Sequence, residues 1–182
     1  MEYLWYGIFY SVLGWGLEKI FAACTRSRHR LRRCFLVLPL CPVYGLAMLA
    51  VLLLGAESLP RPWEQFLLGV LAATVVEYAV HWAYETLLGV RFWDYSHTKC
   101  DVNGRICLPF SLCWGILAML AVRYVQPLLA RLAAALPDEA AALALFCITL
   151  DGIFAVRVLL TTHDIDALRL RTLFQMRRRR AA

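Results

Sequence analysis

Five stretches of the chain are almost wholly apolar, and each is about twenty residues long. They cover 3–23, 35–54, 66–88, 106–128 and 140–160. A helix rises about 1.5 Å per residue, so about 20 apolar residues cross the roughly 30 Å hydrocarbon layer of a bilayer. The strands of a transmembrane barrel would alternate polar and apolar residues, and these stretches do not. The pattern predicts an all-α integral membrane protein of about five transmembrane helices, with 1–160 as a single transmembrane domain.

The second apolar stretch is interrupted where it begins. Pro39 and Pro42 each lack a backbone N–H, and Pro42 disfavours a helical conformation at Cys41. The remainder, 43–54, is too short to cross a bilayer as a helix. We therefore expect residues 35–42 to enter as extended or broken backbone. A membrane tolerates such backbone only where protein or a watery cavity satisfies its polar groups.

The composition supports a membrane location. Of the 182 residues, 62% are hydrophobic, and the mean hydropathy is +0.63. Soluble domains contain roughly 45–50% apolar residues, so these values exclude an ordinary water-soluble domain. The seven cysteines form no C-x-x-C pair, which predicts free thiols and neither disulfides nor a zinc site.

Basic residues are concentrated in three segments that alternate with the apolar stretches. These segments contain Arg26, Arg28, Arg30, Arg32 and Arg33, then Arg91, Lys99 and Arg105, and finally Arg169, Arg171 and the arginines at 177–180. Short basic loops stay on the cytoplasmic side, so the pattern predicts an outside N-terminus, an inside C-terminus and a basic cytoplasmic tail at 161–182. The net charge of +6 is then mostly an orientation signal that also attracts anionic lipid headgroups. Nucleic-acid binding is the alternative interpretation of the terminal run, and we do not expect it.

Two parts of the chain share spaced motifs. Each has W-x-x-E in its first helix, ending at Glu18 and at Glu85, and each has L-P-x-x-x-x-[YW]-G at the start of its second, with Tyr44 and Trp114 as the aromatic residues. The motifs predict a parallel duplication of a two-helix hairpin over 3–54 and 66–128, with the helix 140–160 outside it. Glu18 and Glu85 would then be equivalent positions facing each other across a pseudo-twofold axis. Chance similarity in a chain rich in Leu and Trp is the alternative.

Four acidic side chains fall inside the apolar stretches. Glu77 and Glu85 share one face of the third helix with His81, because the spacing is i, i+4, i+8. Asp151 lies near the middle of the last stretch, and Glu18 lies toward the inner end of the first. A charge at the bilayer centre costs about 3 kcal/mol or more, so we expect these acids to face the bundle interior.

Two interpretations of the four acids remain open. In the first, the acids line a polar path for a cation, a proton or a polar substrate, with Arg157 as internal counter-ion and His81 in support. In the second, Glu18 and Glu85 pair with Arg157 or Lys19, Asp151 caps a packing contact, and His81 hydrogen-bonds between helices. Because four acids outnumber one deep arginine, we favour the path. The protein would then be a transporter or permease subunit, and a non-transporting scaffold or regulatory subunit is the alternative.

Catalytic chemistry has little support in the sequence. Glu77, His81 and Glu85 could hold a divalent ion geometrically, but no second His or Cys stands beside them, so a membrane-embedded metal-dependent enzyme is the least favoured function. The chain has no G-x-S-x-G and no G-x-x-x-x-G-K-[ST] motif. We expect no catalytic residue, no metal and no cofactor.

Several motifs together resemble a known family. They are G-W-x-x-E from Gly14, C-P-V-Y-G from Cys41, W-D-Y-S from Trp93, N-G-R-I-C from Asn103, and W-G at Trp114. Over about 8–128 the chain is similar to the prokaryotic family called Putative ABC-transporter type IV, or CmpB-like. It departs from that family's pattern at His81, where a small residue is expected, and at Leu38, where glycine is expected.

The resemblance implies a multi-pass permease component of the bacterial cytoplasmic membrane. Such a permease does not hydrolyse ATP itself, so the resemblance implies a separate ATPase subunit. Its expected landing site is the loop from Arg91 to Arg105, which contains Asp94 and Asn103. In an alternative interpretation, Arg91 and Arg105 hold an anionic ligand. Five helices enclose little volume, so we expect a homo-oligomer surrounded by membrane lipids.

Overall fold

The protein is all-α, as predicted. The computed structural model describes residues 1–24 and 34–168, so the arginines at 26–33 and beyond residue 168 lie outside the described residues. The helices are α1 (Glu2–Cys24), α2 (Pro42–Leu53), α3 (Pro62–Leu88), α4 (Leu108–Leu120), α5 (Gln126–Ala134) and α6 (Asp138–Thr162). Short 3-10 turns follow α2 and α6 at Ala56–Ser58 and Ile165–Leu168, and a small antiparallel hairpin, β1 (Asp101–Val102) and β2 (Ile106–Cys107), precedes α4.

Within residues 1–24 and 34–168, three helical rods are long and apolar enough to cross a membrane. They are Pro62–Leu88, Asp138–Thr162 and the continuous rod Leu108–Ala134, in which the π-helical turn Ala121–Val125 joins α4 to α5. Helix α1 has 23 residues but carries charged and hydroxylated side chains along its length. Helix α2 has only 12 residues, which is about 18 Å of helix. The membrane topology with five crossings and its orientation therefore stay predictions.

The broken entry to the second apolar stretch is confirmed. Residues 34–41 form no regular helix or strand, and α2 begins at Pro42, whose missing N–H suits a first helical turn. The N–H of Cys41 donates to the C=O of Ser11 on α1 at 2.9 Å. This bond, with those to Asp151 described below, satisfies part of a backbone that could not otherwise lie at membrane depth.

The helices pack as two close pairs. Helix α1 contacts α2, and α3 contacts α4, while α2 also lies against α3. Gly45 and Gly115 allow the close approach within these pairs, because a Cβ at Gly45 would lie 2.4 Å from the Gly7 carbonyl oxygen and one at Gly115 would lie 2.3 Å from Val70 Cγ2. Small residues at helix interfaces are the usual means of packing in a membrane.

Helix α6 is held mainly at one end. Ala155 and Leu159 are fully buried and pack with Leu88, Val90 and Phe92, which end α3 and begin the following loop. Most of the remaining α6 surface is apolar and exposed, as expected for a helix that faces lipid on several sides.

Candidate functional site

The polar stripe of α3 lies where the sequence predicts. Glu77, His81 and Glu85 follow one another along one face of the helix. Glu77 is 4% exposed and His81 is 2% exposed, whereas the Glu85 side chain is 24% exposed. Burial is therefore greatest toward the middle of the helix.

The segment 89–107, called here the α3–α4 loop, folds back over this stripe. Tyr95 donates its hydroxyl to Glu77 Oε1 at 3.0 Å, the Trp93 carbonyl lies 2.9 Å from His81 Nε2, and Arg105 donates to Glu85 Oε2 through Nε at 3.2 Å and Nη2 at 3.0 Å. Each polar member of the stripe thus has its own partner in the loop.

A tight turn gives the loop its shape. Asn103 and Gly104 both have positive φ, 55° and 68°, and the Arg105 N–H donates to the Val102 C=O at 3.0 Å. Two successive residues with φ > 0 are typical of a type I′ turn, and Asn-Gly is its preferred sequence. Asn103-Gly104 therefore forms the tight turn to which an Asn-Gly sequence is suited.

The W-D-Y-S and N-G-R motifs bind each other within the loop. The Tyr95 N–H donates to the Gly104 C=O at 2.8 Å, and the Trp93 indole donates to the Arg105 C=O at 2.9 Å. Asp94 Oδ1 accepts the Ser96 N–H at 2.9 Å, and this bond holds the pKa of the Asp94 carboxyl below its usual range. The two motifs are thus one structural unit.

Glu85 binds two arginines. Arg91 donates to Oε1, and Arg105 donates to Oε2. Arg105 also donates through Nη1 to the Tyr78 hydroxyl at 2.8 Å, and Asn103 Nδ2 donates to the same hydroxyl at 3.1 Å. An anionic ligand at Arg91 and Arg105, or a docked subunit, would have to compete with Glu85.

The counter-ion expected at Arg157 is not among these contacts. Arg157 is exposed on α6, and the ion pairs within residues 1–24 and 34–168 do not include it. Lys19 lies over the Trp15 ring at 4.6 Å. The cations that pair with Glu85 come from the α3–α4 loop.

Glu77 is bound by neutral donors. Tyr95 donates to Oε1, and the Trp114 indole donates to Oε2 at 2.9 Å. Burial raises the pKa of the Tyr95 phenol, and the nearby Glu77 adds to this effect, so the phenol keeps its proton and acts as the donor. Among the described residues Glu77 has no ion pair. In the described part of the chain, a deeply buried carboxyl is therefore held in place by neutral donors alone.

Glu18 occupies a comparable position on α1. The Tyr44 hydroxyl donates to Glu18 Oε1 at 2.9 Å, and the Tyr44 ring meets the Trp114 ring edge to face at 5.0 Å. Two aromatic donors in contact thus connect two carboxyls on different helix pairs.

The contacts suggest a different register for the predicted duplication. Tyr44 and Trp114, the aligned aromatic residues, bind Glu18 and Glu77, which are 59 positions apart, whereas the W-x-x-E motifs are 67 positions apart. A shift of eight residues is about 12 Å along a helix. The contacts therefore relate Glu18 to Glu77, while Glu85 has its own arginine partners. The duplication itself stays a prediction.

The glycine contacts show the same spacing. A Cβ on Gly45 would meet Gly7 and Ser11, and a Cβ on Gly115 would meet Phe66 and Val70. Gly7 and Phe66 are 59 positions apart, as are Ser11 and Val70. Both helix pairs therefore cross at corresponding points.

Asp151 stabilises the broken entry to α2. Its carboxylate accepts the N–H of Leu38 at 2.9 Å and the N–H of Val37 at 3.3 Å. Backbone in this conformation has no helical partner for these donors, so a side chain from α6 supplies one. The carboxylate of Asp151 thus binds segment 34–41. Its contacts among the described residues do not include Glu77.

Replacing Asp151 with asparagine should loosen segment 34–41. Asparagine keeps one acceptor oxygen and loses the charge, which costs about 1 kcal/mol for the lost hydrogen bond. Cys34 and Cys41, which are 4% and 2% exposed, should then react with maleimide about fivefold faster. Asp138→Asn, at the exposed start of α6, is the matched control and should leave both rates unchanged. Equal rates in the wild type and Asp151→Asn would contradict the role.

The described residues do not assemble a metal site. Within residues 1–24 and 34–168, no three His, Cys, Asp or Glu side chains converge as metal ligands do. Glu77, His81 and Glu85 instead point to separate partners in the loop.

Sequence reasoning missed the aromatic hydrogen-bond partners of the charged residues. Tyr44, Tyr95 and Trp114 donate to the acids, and the Tyr78 hydroxyl accepts from Arg105. Tyr44, Tyr95 and Trp114 lie in the motifs [YW]-G and W-D-Y-S, and a buried Tyr or Trp usually needs a polar partner. That rule applied to these motifs would have indicated carboxyl partners.

The fold and the site together define an all-helical membrane protein class: within residues 1–24 and 34–168, three helical rods are able to span a bilayer, and the carboxyl of Glu77 is buried on one of them. Residues 5–162 match the model of the family described as Putative ABC-transporter type IV. The match covers most of the chain, so the protein belongs to this family, and the resemblance seen in the motifs is confirmed. No curated protein and no solved structure matches the chain.

Proposed function

We propose that the protein is a permease subunit of the bacterial cytoplasmic membrane, with Glu77 as the cation- or proton-binding point on its polar path. Glu18 is connected to Glu77 through two aromatic side chains in contact, because Tyr44 donates to Glu18 and Trp114 donates to Glu77. Glu85 and Asp151 support the path, because the first anchors the loop and the second anchors the entry to α2.

The observation that carries this proposal is the burial of Glu77 without a cation from residues 1–24 or 34–168. An unpaired buried carboxylate costs several kcal/mol, and the energy is recovered when a proton or another cation joins it. A carboxyl with only a structural role would be expected to have a permanent cation, as Glu85 has, or backbone donors, as Asp151 has. Glu77 is 4% exposed and has two neutral donors instead.

Transport powered by ATP would require a second chain. The family name indicates association with an ABC-type system, and this sequence lacks the phosphate-binding motif of an ATPase. We propose that an ATPase subunit contacts the α3–α4 loop, whose exposed residues include His97 and Lys99. A homo-oligomer would enclose the path more fully than one chain.

Replacing Glu77 with glutamine should abolish ion movement while the protein still inserts. Glutamine keeps the size and the hydrogen-bonding oxygen but cannot bind a proton or carry charge. Purified protein in liposomes, with an imposed potential and an enclosed pH dye, reports proton entry, and the same vesicles report other cations with ion-specific dyes. The variant should match empty vesicles.

Glu57→Gln is the matched control. Glu57 is exposed in the short turn after α2, so its loss should leave the flux unchanged. Wild-type flux in Glu77→Gln, with equal protein per vesicle, would refute the role of Glu77. The absence of flux in the wild type would require the assay to be repeated with any co-purified ATPase and ATP.

A non-transporting scaffold or regulatory subunit is the second candidate. It is favoured by Glu85, which has two arginines, and by Asp151, which binds backbone, since both acids have structural partners. Purification from native membranes in mild detergent, followed by mass spectrometry, separates the candidates. A stoichiometric ATPase that is lost when Arg91 and Arg105 are changed to glutamate supports the permease. A membrane enzyme or receptor in its place, together with flux-free vesicles, supports the scaffold.

A further inference from the structure

His81 has one nitrogen satisfied and one unsatisfied. The side chain is 2% exposed, and its Nε2 lies 2.9 Å from the Trp93 carbonyl, which only accepts, so Nε2 carries a proton. Its Nδ1 is buried and has no hydrogen-bond partner among the described residues. A neutral ring therefore leaves a lone pair unsatisfied in the interior, which is rare and calls for an explanation.

The Glu85 oxygen nearest to Nδ1 already accepts hydrogen bonds from Arg105. Glu85 Oε2 lies 3.9 Å from His81 Nδ1, too far for a hydrogen bond, and it accepts both N–H groups of Arg105 at 3.2 and 3.0 Å. Arg105 follows the Asn-Gly turn, and its carbonyl accepts the Trp93 indole. One carboxylate oxygen thus lies between His81 and the arginine that fastens the loop.

We propose that His81 and Arg105 compete for Glu85, so that protonation of His81 releases the α3–α4 loop. A proton from water on the loop side adds to the Nδ1 lone pair, giving an imidazolium with an N–H at each nitrogen. The new N–H donates to Glu85 Oε2 once the two atoms approach by about 1 Å, the change needed to reach an ordinary hydrogen-bond distance. Oε2 then leaves Arg105, and the two neighbouring cations repel each other.

The fixed charges around His81 set the balance of this competition. On α3 they are Glu77 and Glu85, and on the loop they are Arg91 and Arg105. Other titratable groups on the surrounding elements are Glu18 of α1, Tyr44 of α2, Tyr78 of α3, Tyr95 of the loop and His163 after α6. The arginines oppose a proton on His81 and the glutamates favour it, so the occupant of Glu85 changes with pH.

The test uses two cysteines of the same loop. Cys107 is 1% exposed within the hairpin, and Cys100 is exposed just before it. Full-length protein in lipid vesicles is treated with N-ethylmaleimide between about pH 5 and 8, where an ordinary histidine titrates. Peptide mass spectrometry gives the labelling ratio of Cys107 to Cys100. The ratio removes the part of the pH dependence of thiol reactivity that the two cysteines share.

In the wild type the ratio should rise several-fold between the highest and the lowest pH of the series. His81→Gln keeps a donor for the Trp93 carbonyl and cannot be protonated, so its ratio should stay low and flat. His97→Gln, at an exposed histidine of the same loop, is the matched control and should behave as the wild type does. A flat wild-type ratio, or a pH-dependent ratio in His81→Gln, would refute the proposed competition between His81 and Arg105 for Glu85.

A second variant keeps the test decisive if His81→Gln does not fold. Glu85→Gln removes the charge for which both cations compete, so its ratio should be high at every pH and should no longer change with it. A wild-type pH response in Glu85→Gln would contradict the proposal equally well. The labelling ratio does not depend on transport, so the proposed competition for Glu85 and the proposed function can be refuted independently of each other.

Discussion

Replacing Gly45 with alanine should force α1 away from α2 and lower the stability of the fold. An added Cβ would lie 2.3 Å from Ser11 Oγ and 2.4 Å from the Gly7 carbonyl oxygen. The second contact is with backbone, so no side-chain rotation relieves it, and α1 must move. Overpacking of this kind costs about 3 kcal/mol, or about 10 °C in Tm for a chain of this size. Thermal unfolding in detergent, followed by size-exclusion chromatography, measures the loss.

Gly16→Ala provides the comparison on α1 itself. A Cβ at Gly16 meets nothing within 4 Å, and alanine favours a helix over glycine by about 1 kcal/mol. This variant should therefore be as stable as the wild type or slightly more stable. If Gly45→Ala and Gly16→Ala unfold at the same temperature, the close approach of α1 and α2 at Gly45 is refuted.

Replacing Arg105 with glutamine should detach the α3–α4 loop. Arg105 provides the donors to Glu85 Oε2 and one donor to Tyr78, and glutamine is too short to reach both. Glu85 would still bind Arg91, but the α3–α4 loop would no longer shield Glu77 and His81 from solvent. The expected results are a lower Tm and rapid maleimide labelling of Cys107.

Arg157→Gln distinguishes this arrangement from the one expected from the sequence. Arg157 is exposed on α6, so its loss should change neither the Tm nor the labelling of Cys107. A double-mutant cycle between Glu85→Gln and Arg105→Gln should show strong coupling, and the cycle with Arg157→Gln should show none. The reverse result would restore Arg157 as the counter-ion.

Local patterns predicted much of this structure. The prolines at 39 and 42 indicated the broken entry to α2, the i, i+4, i+8 spacing placed Glu77, His81 and Glu85 on one face, and Asn-Gly indicated the turn. Each of these inferences depends on neighbours within a few residues. In such cases the geometry of the backbone leaves few alternatives.

The partners of the acids could not be predicted in the same way. Glu77 binds residues 18 and 37 positions away, and Glu85 binds one 20 positions away, through a loop that folds back on its own helix. The sequence favours Arg157 as the counter-ion because it lies inside an apolar stretch, whereas the pattern of basic loops explains Arg91 and Arg105 as an orientation signal. A loop arginine can serve both purposes, and only the fold shows which carboxylate it meets.

Segment 34–41 can complete its hydrogen bonds only after Asp151 has been synthesised. Leu38 lies 113 positions before the carboxylate that accepts its N–H. At ordinary rates of translation, about ten seconds pass between the synthesis of the two residues. During that interval the α1–α2 pair remains open at one end, where chaperones and proteases can reach it. Chains truncated before α6 should therefore be degraded even though their first helices are complete.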